Sequence, residues 1–223
     1  MAEILVLVIA SDKDPWRTIV ELGQRPTWVS KKVPGVTVLF CFGEEGVLPH
    51  LCEDCMYVPS PEGTMNIGRK TLAAFKFALA SFPFTHIYRT NVSSYVHLAG
   101  LKAFLDKSPT YNHYSGVIAS HKGIPFISGS GYALSRDLVQ KAVDLEDKWD
   151  HNLLDDVALG KVLASYTDVR LTQCPRINVY NKRTLRLVNS SSTKTTFHFR
   201  CKSDGDRNFD ILAMHYIHKF YNQ

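Results

Sequence analysis

The sequence predicts an α/β fold: a mostly parallel mixed sheet flanked by helices. Three observations predict it. Short runs rich in Val, Ile, Leu and Phe alternate with longer stretches of helical spacing. The short runs close on Gly, Pro, Asp or Ser, which favour turns. No repeat, low-complexity tract or linker divides the 223 residues, a length that one core accommodates.

The elements follow in order. Residues 3–10 read as a buried first strand ending in SDKDPW. A signal peptide is the competing reading, but the apolar run Ile4 to Ala10 is short, follows Glu3 and has no basic flank, so a cytoplasmic setting is expected. Residues 36–42 read as a second strand closed by Gly43, and 55–59 as a short third. From Asn66 to Phe82, Leu72, Phe75 and Leu79 recur at the spacing of an amphipathic helix. The stretch THIYRTNVSSYVHL, 85–98, begins as a strand around Ile87; then Arg89, Asn91, Ser93 and Ser94 crowd its end. A helix is expected near 98–107, strands at 115–120 and 125–128, and helices over 135–146 and 155–165. Late strands at 169–174 and 195–201 precede a terminal helix over 208–221.

Composition narrows the function. Hydrophobic residues at 45% and aromatics at 11% are ordinary for a globular chain. No apolar run approaches the roughly 20 residues of a membrane span. Five scattered cysteines fit a reducing compartment. Cys52 and Cys55 lie near His50 and Cys41, but a zinc site would show a second close pair. From Arg170 onward ten Lys and Arg face three Asp, without a block of like charge or a nucleic-acid module. A local phosphate site accounts for that excess and nucleic acid is not an expected partner. No G-x-G-x-x-G follows the first strand, there is no P-loop, and the nine histidines show no H-E-x-x-H. Those absences exclude the dinucleotide-binding, P-loop and zincin classes.

Several residues are placed for chemistry. Polar side chains at the carboxyl end of a strand point at a ligand in an open α/β sheet, and Arg89, Asn91 and Ser93 share one face there. In FHFRCK, His198, Arg200 and Lys202 alternate with Phe197, Phe199 and Cys201, which sets three donors on one face for phosphate oxygens. Asp155 and Asp156 open a helix, where carboxylates also serve as caps. Gly129 and Gly131 in SGSGY suit a turn or a close backbone approach. Ser11, Asp12 and Lys13 end the first strand, where Asp12 is available to a ribose or base.

Seven segments, in order from Arg25 to Lys202, resemble one family. RPTW, LFCFG, EGTMNIGRKT, YRTNVSSYVH, FISGSGYALS, LLDDVALGKVL and FHFRCK are similar to segments of the β-1,3-galactosyl- and N-acetylglucosaminyltransferases of fringe type. The resemblance implies a single GT-A nucleotide-sugar-binding domain over 1–223. Its donor-binding part would span about 1–97 and its acceptor and catalytic part about 98–223. The usual membrane anchor and disulfides have no counterpart here, so the chain looks like a compact form such as large DNA viruses and bacteria use. The reaction that the resemblance implies is transfer of a sugar from a UDP-linked donor to a glycan hydroxyl, with inversion; the inverting outcome is inherited from the family and is not read from spacing. Asp156 matches the family's invariant acid and is the expected base, with Asp155 capping the helix or binding acceptor. Glu62, Lys70, Arg89, Asn91, Ser93, His198, Arg200 and Lys202 are expected around the donor, and Ser128, Gly129, Ser130, Gly131 and Tyr132 in a loop for sugar or acceptor. Asn91 and Ser93 replace the family's two metal-holding aspartates. A neutral amide and a hydroxyl hold a hard cation poorly. No obligatory metal is therefore expected, only weak Mn²⁺ or Mg²⁺ binding through the donor diphosphate and His198. The alternative is a non-catalytic nucleotide-sugar or glycan-binding module that has lost the metal motif.

Overall fold

The computed structural model describes residues 3–166, 169–189 and 196–221. Its first half contains β1 (Ile4–Ile9), α1 (Trp16–Ile19), β2 (Val36–Gly43), β3 (His50–Cys52), β4 (Cys55–Val58), α2 (Ile67–Ser81), β5 (His86–Asn91), β6 (Ser94–Val96) and α3 (Leu98–Leu105). Its second half contains β7 (His113–His121), β8 (Ile124–Ser135), α4 (Arg136–Asp144), α5 (Asp155–Ala164), β9 (Arg170–Gln173), β10 (Ile177–Val179), α6 (Lys182–Arg186), β11 (His198–Cys201) and α7 (Arg207–Tyr221).

Eight strands form the main sheet in the order β3-β4-β2-β1-β5-β8-β7-β9. The strands β4, β2, β1 and β5 run parallel, whereas β8 is antiparallel to both β5 and β7. Every residue of β1 is buried, because it lies inside the sheet with a core on each face. Ile4, Val6 and Val8 pack with Met214, Ile217 and Leu101 on one side; Leu5, Leu7 and Ile9 pack with Phe75, Leu138 and Leu159 on the other. A smaller sheet, β10-β11-β6, lies on the first side, where Phe199 and Cys201 join that core.

The stretch 85–98 is two strands. The chain leaves β5 at Asn91, turns at Val92–Ser93 and enters the small sheet as β6, antiparallel to β11. The polar crowd marks that change of sheet. The expected strands at 115–120 and 125–128 are arms of one long hairpin, turned at Lys122 (φ 48°) and Gly123 (φ 81°). Its second arm, β8, runs straight through SGSGY, which corrects the loop expected there. Irregularity remains: the register passes from Gly116↔Tyr132 to Ile118↔Ile127, so Ser128 to Gly131 bow out opposite Val117 alone. Thr195, the first residue of the late strand expected at 195–201, lies outside the described residues; β11 starts at His198. No helix among the described residues is long and apolar enough to cross a membrane.

Candidate active site

The parallel strands deliver Ala10, Gly43 and Asn91 to one edge of the main sheet. The bulge Ser128–Gly131 and the start of α5 reach the same edge, and the bulge is its hub. Its Gly129 carbonyl accepts from Arg89 Nη1 and, at 3.4 Å, from Asn91 Nδ2. The Ser130 carbonyl accepts from Thr90 Oγ1 at 2.7 Å and Ser94 Oγ at 3.0 Å. These bonds saturate the carbonyls that the jump in register leaves without ladder partners. A Cβ on Gly129 would come within 3.0 Å of Arg89 Nη1 and 3.2 Å of Asp156 Oδ2, so the residue is small for close packing rather than for an unusual φ. At Gly131 a Cβ would overlap the Tyr88 hydroxyl and the His198 ring.

The two acids have different surroundings. Asp155 accepts from Arg89 Nη2 at 2.5 Å, with both groups inside the protein. Burial is the largest single influence and works against the charge of Arg89, but the Asp155 carboxylate together with Tyr132, Asp156 and Cys41 outweighs it and holds the guanidinium above its usual range. Asp156 Oδ2 accepts the backbone N–H of Gly129 at 2.7 Å, and its Oδ1 accepts that of Val157 at 2.9 Å. This carboxylate is partly exposed and, among the described residues, has no cation as a hydrogen-bond donor. It is oriented and chemically open, whereas Asp155 is spent on Arg89.

Several residues expected to face a ligand lie inside the protein instead, Ser93 and Ser130 among them. Arg89 is a strut between the bulge and α5, for the reason just given. Lys70 donates to Glu62 Oε1 at 2.5 Å and to the Ala10 carbonyl at 2.9 Å, while Glu62 Oε1 also accepts from Gly43 N–H at 2.7 Å. That strap ties together the ends of β1 and β2. Tyr132 is fully buried, with Arg89 over its ring. His198 is buried, with its Nε2 3.1 Å from Ser94 Oγ and its ring edge-on to Tyr88. Burial, assisted by the charges of Arg176 and Arg200, drives its pKa down to about 3, so it is neutral and supplies no charge. The alternation expected of β11 holds at Arg200 and Lys202, but His198 does not reach solvent because the bulge covers that end of the face. Ser11, Asp12 and Lys13 do emerge at the end of β1, where Ser11 Oγ accepts from Lys13 N–H at 3.3 Å. Lys202 is exposed beyond β11.

Other residues at this edge are not among the expected site residues. Arg207 Nη2 donates to Ser93 Oγ at 2.7 Å, pairs with Asp210 at 2.9 Å and lies 4.8 Å over the Trp16 ring. Arg176 Nη1 donates to Ser128 Oγ at 3.1 Å and to Ser130 Oγ, and its Nε donates to Asn178 Oδ1 at 2.9 Å. Buried Gln24 donates to the carbonyls of Asn91 and Ser94, at 3.2 and 2.9 Å. Trp28, part of the RPTW resemblance, donates to the Ser94 carbonyl at 3.1 Å. The two arginines belong to the basic final quarter of the chain; nothing in the sequence singles out Gln24.

The residues present do not fit the metal that the fold family implies. Asn91 Oδ1 accepts from Ser93 N–H at 3.0 Å, Ser93 Oγ accepts from the Arg207 guanidinium, and His198 is engaged by Ser94. A hard cation would meet neutral groups already in use and a positive neighbour.

No protein-family model matches the chain, and no curated protein matches it in sequence. Its fold is that of the GT-A glycosyltransferases. A glycosyltransferase involved in the glycosylation of the major capsid of PBCV-1 is similar with a TM-score of 0.56 and 12% identity, over 95% of this chain and 98% of that one. The glycosyltransferase GlyE of Streptococcus pneumoniae TIGR4 gives 0.54 and 9%, over 97% of this chain and 61% of that one. An active-site mutant of LgtC gives 0.50 and 10%, over 94% and 95%. At these identities the likeness is one of fold.

Proposed function

We propose that this chain is a glycosyltransferase that moves a sugar from a UDP-linked donor to a glycan hydroxyl with inversion, Asp156 acting as general base. The observation that carries the reading is the Asp156 carboxylate, fixed by the Gly129 and Val157 N–H groups at the carboxyl edge of a GT-A sheet. In the proposed step the acceptor oxygen bonds to the anomeric carbon as the bond from that carbon to the diphosphate breaks. The acceptor proton passes to Asp156 and the electron pair leaves with the diphosphate. The part up to about residue 97 takes the nucleotide, with the exposed Ser11–Lys13 turn toward base and ribose, and the part from about 98 takes the acceptor. Charge on the leaving group is met by arginines rather than by a metal. A fringe-type choice of sugar is the finer form of this reading and rests on the sequence resemblance.

The test is donor turnover with UDP-glucose and UDP-galactose. Asp156→Asn keeps the shape and the ability to accept from Gly129, so turnover should fall roughly 10²- to 10⁴-fold. The rise in melting temperature produced by UDP should remain, because it reports binding to the native state. A flat melting temperature across UDP and both sugars counts against the reading. Binding without turnover in the unaltered protein makes the chain a binding module instead. Loss in Asp155→Asn with Asp156→Asn intact reverses the roles of the two acids.

A further inference from the structure

The edge of the sheet contains cations of two kinds. Lys70, Arg89 and Arg207 each have a carboxylate within 2.9 Å. Arg176 and Arg200 have none within 4.0 Å among the described residues. These two converge. Asn178, which accepts from Arg176 Nε, lies directly across the parallel β10–β11 ladder from Arg200, and side chains in register share a face. The Arg200 Nε is buried and has no hydrogen-bond partner among the described residues. Ser128 and Ser130 complete the group with hydroxyl oxygens 3.2 Å apart. Each accepts from Arg176, and only one hydroxyl hydrogen is needed between them, so the other is available to an acceptor outside.

We infer that Arg176 and Arg200, with the Ser128 and Ser130 hydroxyls, form a preorganised site for the diphosphate of the donor, in place of a metal ion. The inference rests on the transferase reading for its ligand and on the geometry for its location. Two guanidinium charges match the two charges of a diphosphate esterified at both ends. The charge that appears when the sugar departs then forms among donors already in position, where no rearrangement is required. The mutual repulsion of the pair is visible in Arg176, whose pKa is lowered by burial and then by Arg200. An anion relieves that repulsion. The bulge makes the location chemically apt, since Arg176 grips it at Ser128 and Ser130 while Asp156 grips it at Gly129. One leaving-group cation, Arg176, and the base are thus held by one three-residue stretch.

The experiment is calorimetric titration of the whole chain with inorganic pyrophosphate, inorganic phosphate and UDP, all in EDTA. The expected result is pyrophosphate binding without metal, weaker phosphate binding, and a loss of about 10- to 100-fold for pyrophosphate and UDP in Arg176→Gln and Arg200→Gln. Arg176→Lys and Arg200→Lys keep the charge without the fork and should fall in between, which covers a Gln variant that fails to fold. Binding that requires Mn²⁺, that is unchanged in all four variants, or that is as tight for phosphate as for pyrophosphate overturns the inference. Arginine-dependent pyrophosphate binding in a protein that turns over no UDP-sugar keeps the anion site and removes the transferase reading. Turnover with pyrophosphate binding indifferent to Arg176 and Arg200 does the reverse.

Discussion

Lys70 and Arg89 on one side, Arg176 and Arg200 on the other, are cations at the same edge of one sheet under opposite conditions. Lys70 and Arg89 are each 2% exposed and each meets a carboxylate at 2.5 Å. Arg176 and Arg200 are only partly buried; Arg176 meets two hydroxyls and an amide and feels the charge of Arg200. A charge closed inside the protein has already been matched and serves the architecture. A charge left open in a fixed position retains its capacity for a ligand.

The sharpest way to break this contrast is Arg89→Met, which leaves Asp155 buried without its partner. Unfolding in urea should show a loss of about 3–5 kcal/mol, the usual result of removing one member of a buried pair. A loss below about 1 kcal/mol would mean that the closed cations are not structural. Next comes turnover on the open side. With EDTA present, Arg200→Ala should lose about 1.5–3 kcal/mol of transition-state stabilisation, read as kcat/KM. Abolition of unaltered turnover by EDTA and its return with Mn²⁺ would reverse the assignment of charge to arginine.

A smaller effect concerns the basic groups that are closed off without charge. His198 has a pKa lowered to about 3 and His113 one lowered to about 4, both first of all by burial. An unfolded imidazole titrates near 6.5. Below that value the unfolded chain binds the extra protons, so stability is full above about pH 6.5 and is lost as pH falls toward 4 and 3. The slope should be on the order of 1 kcal/mol per pH unit for each histidine, and urea midpoints at pH 7, 6 and 5 measure it. Equal midpoints would contradict the buried neutral state. The smallest expected effect is the sharpest complement to Arg89: Arg176→Gln should change stability by less than about 1 kcal/mol, of either sign, because removing it also removes a repulsion.

The elements that the sequence makes legible are those decided by local pattern. Ile4 to Ala10 is apolar without interruption and becomes the inner strand; Leu72, Phe75 and Leu79 repeat at helical spacing and become α2. What stays illegible depends on partners distant in the chain. Nothing within SGSGY announces that Val117 alone will face four residues of β8, or that Arg89 and Asp156 will close on Gly129. The alternation in FHFRC is real, yet His198 is covered by Tyr88 and Gly131, contributed by other strands. Asp156 and Arg200 could be picked out by resemblance. Arg176 sits in an irregular segment with no pattern, and only the excess of basic residues late in the chain hints at it.

The double grip on the bulge also couples two binding events. Asp156 holds Ser128–Ser130 through a backbone N–H, and Arg176 holds it through two hydroxyls. A ligand seated on Arg176 changes the field and the hydrogen bonding at the stretch whose Gly129 N–H orients Asp156. Free-energy coupling is reciprocal, so whatever factor the anion imposes on affinity at the carboxylate, a molecule seated on that carboxylate imposes on the anion. Order of addition would then change the route of assembly of a ternary complex and leave its total binding free energy untouched.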